Sequence, residues 1–476
     1  MEAELTKREL SFFRCIARRE AAQEETIEVL IGDALPDAAE IIDAEAAVFL
    51  RSKETEDGLV RLKAAVEGSI LYGTEDGTVC SVPLRSECRM EWTGSELKRD
   101  GQLCAEMKLC RAEGRMLNSR KLLLQAELCG SFSQWRSETV SCVCAAAADH
   151  LETKIESTTL PLVCGVSEKS FAVTEQFTIP EECERASDIL LQRCSSWIEE
   201  VNSVAGKLIL QGRSRLELLY RDEPGSVCSQ SFTAAWSQLM DIPAEPDKTR
   251  ITLMDTARYI DIVDGGEAVS LEAHLTAQLQ CTQSVEIETL ADAYSTAFET
   301  ESETETLRLS LLKENGSEEK TLRDSMALPE DAERTLFGRG EVRKGANGVT
   351  LLSVSALCQN SGGALHLLKK EIACEGEARL KELKLSRNGN ELELNAALEF
   401  QQETEQIAEL SWLKNISLLE DKPLRKRGLP GLVIVRRDGA DAWNLAKKYG
   451  STVTLMEKAN EDMDEKDAFL FIPRAR

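Results

Sequence analysis

Apolar and charged residues alternate along the stretch from Leu208 to Ser229. The even-numbered positions are apolar and include Leu208, Leu210, Leu216, Leu218 and Tyr220. The odd-numbered positions are polar and include Gln211, Arg213, Arg215 and Glu217. A period of two with one apolar face predicts a half-buried β-strand. Pro224-Gly225 then favours a type II turn, because proline fixes φ at the first central position and glycine accepts a positive φ at the second. We expect a strand, a tight turn and the start of a return strand.

The same pattern occurs a second time, from Val60 to Ser81. Tyr72 precedes Tyr220 by 148 residues, and the same offset relates Glu75/Glu223, Gly77/Gly225, Val79/Val227, Cys80/Cys228 and Ser81/Ser229. Both copies end in a further alternating strand, at Leu122–Leu128 and at Ser270–Leu279. A repeat of this length is a whole domain rather than one unit of a solenoid. Two β-rich domains are therefore predicted, at residues 1–150 and 151–298.

A third, more divergent β-rich domain is predicted at residues 299–420. Its long strand is expected within Gly348–Gly363, with Leu357 in the place of the tyrosine. Its closing strand is expected at Asn388–Phe400, which repeats the spacing of the leucines and alanine in the second domain. In Glu299–Glu305, glutamate alternates with Thr or Ser, which is compatible with a solvated strand face or with a linker, and the linker is favoured.

The pattern changes after residue 420. Residues 421–431 are basic and rich in Pro and Gly, which is typical of a linker. The remaining residues, 432–476, predict a strand around Val433 and Val435, helices at Asp441–Tyr449 and Thr452–Ala459, and a strand at Phe469–Pro473. The predicted fold class is a multidomain, mainly β protein in which three β-rich repeats precede a small βααβ domain.

The balance of charge excludes some classes of partner. The chain has 476 residues, and 83 acidic against 57 basic residues give a net charge of −26. Such a chain lacks the clustered Lys and Arg that general binding to nucleic acid or anionic lipid requires. No apolar run approaches the length of a membrane span, and the charged start MEAELTKREL has no signal-peptide core. A cytoplasmic location is expected.

Cysteine is frequent, yet its pattern does not predict a disulfide framework. The count of 15 is odd, the spacing is irregular, and no secretory signal is present. We expect small buried thiols rather than redox or metal sites. The three histidines, His150, His274 and His366, are far from any cysteine pair, so a zinc site is not expected. No cofactor is expected.

Motifs of enzymes are also missing from the sequence. Neither a phosphate-binding glycine motif nor a G-x-S-x-G elbow occurs, and no histidine is obviously paired with a nucleophile. The glycine-rich segment Gly338–Gly348 fits neither phosphate motif, and a hairpin loop is expected there. Tyr72, Tyr220 and Trp443 are expected to pack in cores rather than bind ligands. The chain is predicted not to be an enzyme.

The C-terminal segment resembles a LysM domain. The residues that carry the resemblance are Gly439, Trp443, Leu445, Ala446, Tyr449, Gly450, Asn460, Ile472 and Pro473. The ligand loops depart from the family, because its Gly-Asp-Thr turn is replaced by Gly439-Ala440-Asp441 and acidic residues fill Met463–Asp467. By analogy with the family's loops, the residues expected to contact a partner are Asp438, Gly439, Ala440, Asp441, Asn444, Glu465 and Asp467.

The body resembles SPOCS domains, the repeats of clostridial sporulation proteins. The resemblance is carried by Gln23–Glu28 with Pro36, by Phe171–Pro180, and by both copies of the LY–turn–VCS element. SPOCS repeats followed by one LysM domain imply a spore-coat morphogenetic adaptor in the mother-cell cytoplasm at the forespore surface. Its implied partner is the coat ATPase SpoIVA, with other coat or forespore-membrane proteins as further candidates. The alternative is a LysM protein that binds peptidoglycan or cortex glycan.

Overall fold

The computed structural model describes residues 1–204, 206–242, 246–344, 349–376, 378–424, 430–436, 441–461 and 469–475. It is mainly β and contains several separate sheets. The elements, in chain order, are β1 Glu4–Leu30, β2 Glu40–Glu56, β3 Leu59–Gly73, β4 Val79–Thr93, β5 Gln102–Asn118, β6 Lys121–Ala147, β7 Leu151–Thr178, β8 Ala186–Val204, β9 Lys207–Asp222, β10 Val227–Asp241, β11 Lys248–Val263, β12 Ala268–Ser295, β13 Phe298–Ala327, β14 Ala332–Lys344, β15 Thr350–Asn360, β16 Leu365–Cys374, β17 Ala378–Asn388, β18 Glu391–Pro423, β19 Leu432–Arg436, α1 Ala442–Tyr449, α2 Val453–Ala459 and β20 Phe469–Pro473.

Three sets of six strands share one connectivity, and we refer to them as repeat 1 (β1–β6), repeat 2 (β7–β12) and repeat 3 (β13–β18). In each repeat the second, third and fourth strands form an antiparallel sheet with the third in the centre. The sixth strand lies between the first and the fifth. Phe13 of β1 pairs with Val163 of β7, so repeats 1 and 2 share one six-stranded sheet.

The alternation seen in the sequence is confirmed at the central strands β3 and β9. Tyr72 and Tyr220 are buried, at 0% and 1% exposure, as expected of core residues. The turn after β9 begins one residue earlier than predicted, because the amide of Gly225 donates to the carbonyl of Asp222 at 3.0 Å. Gly225 has a φ of +97°, a backbone conformation that residues other than glycine rarely adopt.

Repeat 3 has the same turn, and this corrects the alignment of its long strand. Gly363 donates to the carbonyl of Asn360 at 3.0 Å, in the way that Gly225 donates to Asp222. Tyr72, Tyr220 and Cys358 each lie two residues before the first residue of the turn, so Cys358 corresponds to the tyrosines, whereas Leu357 does not. Since side chains alternate along a strand, a shift of one residue assigns each side chain to the opposite face.

Two further expectations were wrong. Glu299–Glu305 lies inside β13 and pairs with β18, so it is a strand with exposed glutamates and not a linker. A hairpin loop was expected at Gly338–Gly348, but residues 338–344 lie in β14, and residues 345–348 lie outside the described part of the chain. A Cβ on Gly338 or Gly340 would come within 2.3 Å and 2.7 Å of Leu385 and Leu380, so glycine here permits close packing of β17 on β14.

The cysteines depart from expectation at one pair. Cys110 and Cys129, on the neighbouring strands β5 and β6, form a disulfide, and the other thirteen cysteines are free thiols. Burial raises the pKa of Cys104 and of Cys194 to about 11, so both remain protonated near neutral pH.

The three central strands meet at one apolar cluster, which we call the hub. Corresponding residues of the three repeats are Leu71, Leu219 and Leu357, each 0% exposed. Beside them lie Val79, Val227 and Leu365, which also correspond to one another. The hub therefore relates the three repeats by an approximate threefold arrangement within a single chain.

A buried charge cluster adjoins the hub. Glu45 of β2, Arg193 of β8 and Arg339 of β14 correspond to one another, because they pair with Ser69, Glu217 and Ser355 of the central strands. Each of these three partners lies five residues before the first residue of its turn, which is Thr74, Asp222 or Asn360. Glu45 accepts from Arg193 at 3.1 Å and from Arg339 at 2.9 Å. One carboxylate thus joins all three repeats.

The first and last strands of the repeats extend beyond the hub and pack together a second time. Their shared core, which we call the stem, contains Phe12, Leu160, Ile287, Leu309, Trp412 and Ile416. The stem carries β12 to the C-terminal domain, so the position of that domain depends on how the repeats pack.

Truncation of a hub leucine should destabilise the whole body. We expect Leu219→Ala to lower the free energy of unfolding by about 2–5 kcal/mol, because a fully buried leucine leaves a cavity. Urea denaturation followed by tryptophan fluorescence measures this change. Leu30→Ala, at a leucine 71% exposed, is the matched control and should change stability little. Equal effects of the two substitutions would contradict the role of the hub.

Candidate partner-binding surface of the C-terminal domain

The C-terminal segment folds in the predicted order of strand, helix, helix and strand. β19 pairs with β20 in antiparallel register, and the two helices cover one face of this small sheet. Gly450 ends α1 with a φ of +65°, and the Thr452 hydroxyl caps α2 by accepting from the Leu455 amide at 3.1 Å. Their core is small and consists of Trp443, Leu445, Ala446, Met456 and Ile472.

Two residues of β12, Asp292 and Tyr294, anchor this domain to the stem. The indole Nε1 of Trp443 donates to Asp292 Oδ2 at 2.8 Å, and Lys447 Nζ lies 2.7 Å from both carboxylate oxygens. The Tyr294 hydroxyl donates to the carbonyl of Ser451 at 2.8 Å, and its ring meets the Trp443 ring edge-on at 4.9 Å. Hydrogen bonds, an ion pair and an aromatic contact therefore join the two parts.

The charge of Asp292 is maintained by its partners. Burial by itself would raise the pKa of this carboxyl, but hydrogen bonds from Lys447 and Trp443 outweigh burial and hold the pKa below its ordinary value. Burial also raises the pKa of Tyr294 well above that of a free tyrosine. Asp292 is therefore ionised and Tyr294 protonated at neutral pH, which are the forms that the observed hydrogen bonds require.

The residues predicted for partner binding divide into two groups. Asp441 and Asn444 are described, and both are exposed at the start of α1. The Asp441 carbonyl accepts from the Leu445 amide at 3.1 Å, but its carboxylate makes no capping hydrogen bond. Five residues lie outside the described part of the chain, namely Asp438, Gly439, Ala440, Glu465 and Asp467.

The sequence predicted that Trp443 is a core residue, but it did not predict that Trp443 contacts β12. It is 8% exposed, as expected of a core residue, but it also contacts Asp292 and Tyr294 of β12, outside its own domain. Asp292 and Tyr294 were not predicted, because nothing in the segment Leu290–Ser295 distinguishes an anchor from an ordinary buried strand.

Two surface grooves of the body contain charged side chains that are held in ion pairs. The larger, about 640 Å³, is lined by Arg51 and Lys63, which pair with Glu67 and Glu54. The smaller, about 430 Å³, lies between repeats 1 and 2, and its Arg258 pairs with Asp255 at 2.6 Å. Among the described residues, no three potential metal ligands come together.

Comparisons with known proteins add no relative. No protein-family model, no curated protein and no solved structure matches this chain. Neither helix in the described part of the chain is long and apolar enough to cross a membrane.

Loss of the charge on Asp292 should loosen the C-terminal domain from the stem. In Asp292→Asn, the hydrogen bonds from Lys447 and Trp443 lose their charge assistance, and we expect amide exchange of α1 to accelerate about tenfold. Because the pKa of Asp292 is lowered in the folded protein, the same stabilisation is present at neutral pH and is lost as pH falls through that pKa. Hydrogen-exchange mass spectrometry measures both effects.

The matched control is Asp261→Asn, which removes an exposed carboxylate on β11 of the same repeat. It should leave the exchange of α1 unchanged. Unaltered protection of α1 in Asp292→Asn would show that Asp292 does not anchor the domain.

Proposed function

We propose that this chain is a non-enzymatic adaptor of spore-coat morphogenesis, built from SPOCS-type repeats and a LysM-type domain. In this proposal the LysM-type domain binds a SpoIVA-like coat ATPase and helps to localise coat around the forespore from the mother-cell cytoplasm. The observation that carries the proposal is the orientation of α1. Its Trp443 side is fixed to the stem by Asp292 and Tyr294, whereas Asp441 and Asn444 remain exposed.

The use of Trp443 as an anchor favours a protein partner over a glycan. An aromatic ring that stacks on a sugar must present a face to solvent, but this indole is 8% exposed and its Nε1 already donates to Asp292. The exposed start of α1 instead presents the carboxylate of Asp441 beside the amide of Asn444. These groups suit basic and hydrogen-bonding side chains of a protein.

The absence of enzyme chemistry is part of the proposal, and the grooves of the body support it. In the described residues that line them, the cations named above are held in ion pairs on strand surfaces. A catalytic site instead requires a nucleophile or acid–base pair poised towards a shared substrate position. Repeated sheets around one hub suit a rigid scaffold that places its C-terminal domain.

Reversal of the charge at Asp441 should weaken binding of the ATPase. We expect Asp441→Lys in the full chain to raise the dissociation constant for an immobilised SpoIVA-like ATPase at least tenfold, because repulsion replaces an attractive contact. Glu457→Lys makes the same change of charge at an exposed position on α2 and is the matched control. Surface plasmon resonance on both variants measures the change.

Two results would contradict the proposal at different levels. Equal affinity of Asp441→Lys and the unaltered chain would remove the α1 surface from the interface. Retention of the unaltered chain on insoluble peptidoglycan, with no binding to the ATPase, would replace the adaptor by the glycan-binding alternative.

A further inference from the structure

One position on the second strand of each repeat is occupied differently in the three copies. Phe49, Trp197 and Arg343 correspond, because they pair with the corresponding residues Ala65, Arg213 and Leu351 of the central strands. Phe49 is 2% exposed, whereas Trp197 is 36% exposed. The same face of the sheet is therefore covered in repeat 1 and open in repeat 2.

The cover of Phe49 is a cationic strand that comes from repeat 2. The guanidinium of Arg258, on β11, lies 5.3 Å from the centre of the Phe49 ring. Arg51, which follows Phe49 by two residues, lies 5.6 Å from the same ring and donates to the carbonyl of Thr256 at 2.7 Å. An extended segment with an arginine thus lies across the aromatic ring.

In the described part of repeat 3, the residue that corresponds to Arg258 is not a cation. Arg258 pairs with Ala273 of β12, and the corresponding pair in repeat 3 is Leu383 with Ala396 of β18. Leu383 therefore replaces the arginine, and it packs next to Gly340 of its own repeat. The residue that corresponds to Arg258 is therefore not a cation in repeat 3, and the Trp197 indole is exposed.

The surroundings of Trp197 favour a cation. Arg51 of repeat 1 corresponds to Glu199 in repeat 2, and the exposed Glu200 follows it. Glu199 pairs with Arg213 at 3.0 Å, so these three side chains carry a net negative charge. Exposed apolar residues Val204 and Leu239 extend the same face of the sheet. The aromatic and apolar side chains of this surface lie beside two ion pairs, Glu199 with Arg213 and Asp241 with Lys207, and beside the exposed carboxylate of Glu200. This combination is complementary to a segment that carries both arginine and apolar side chains.

We propose that this surface of repeat 2, formed by Trp197, Glu199, Glu200, Val204 and Leu239, binds an extended arginine-bearing segment of a partner protein. The arginine lies over the Trp197 ring, as Arg258 lies over Phe49, and its charge is balanced by Glu200, since Glu199 already pairs with Arg213. This surface belongs to the body and is separate from the start of α1. The proposal does not depend on the function proposed for the C-terminal domain.

A peptide from β11 is a direct probe, because β11 is the segment that the structure shows on the corresponding surface of repeat 1. The dye-labelled peptide TLMDTARYI, residues 252–260, is titrated with the full chain, and fluorescence anisotropy is measured. We expect saturable binding that weakens about three- to fivefold when citrulline replaces the arginine, the size of a partly exposed cation–π contact. Trp197→Ala should abolish binding, and Trp197→Phe, which copies repeat 1, should retain it.

Tyr259→Ala is the matched control, because it truncates another exposed aromatic residue of the same repeat, 56% exposed. It should bind the peptide as the unaltered chain does. Three results would each overturn the proposal: no saturable binding at millimolar chain, equal binding of the arginine and citrulline peptides, or equal binding by Trp197→Ala.

Discussion

The carboxylate of Glu45 holds two arginines that belong to different repeats. Arg193 and Arg339 donate to it from β8 and β14, and their side chains are only 20% and 12% exposed. Burial by itself would raise the pKa of Glu45, but the two arginines outweigh burial and lower it. Removal of one partner from a buried ion pair typically costs about 3–5 kcal/mol, since it leaves the other charge unpaired. The packing of the repeats therefore depends on this contact.

This charge cluster also gives a reason for the three repeats to differ in sequence at this position. Three identical repeats would place three like charges together at this position, whereas the chain places one glutamate between two arginines. We infer that this buried cluster selects one arrangement of the repeats, while the cost of desolvating its charges offsets much of their attraction. The stem packs the first and last strands of the repeats together, and Asp292 of β12 anchors the C-terminal domain to it.

Local pattern predicted the strands, while long-range contacts could not be predicted. The alternation around Tyr72 and Tyr220 was sufficient for the repeated strand and turn, and helical spacing was sufficient for α1 and α2. The segment Glu299–Glu305 was predicted as a linker because its sequence is polar, and only its pairing with β18 shows that it is a strand. Asp292 and Trp443 are in contact although they are 151 positions apart in the sequence, so local pattern could not predict this contact.

The opposite charges at the corresponding residues Glu45 and Arg193 were a signal for a contact between repeats, but an interpretation based on periodicity alone did not use it. Of the candidate site, the sequence suggested the exposed start of α1, with Asp441 and Asn444, but not its anchored side.

The role of Glu45 is tested most directly by exchanging charges within the cluster. Glu45 and Arg339 both face a serine on the neighbouring central strand, Ser69 and Ser355, so their side chains can be exchanged between similar surroundings. Urea denaturation of Glu45→Arg should show a free energy of unfolding lowered by about 3–5 kcal/mol, the cost of an unpaired buried charge. The double variant Glu45→Arg with Arg339→Glu should recover at least half of this loss of stability. Unchanged stability of Glu45→Arg, or a double variant no more stable than the single one, would contradict the role of this cluster.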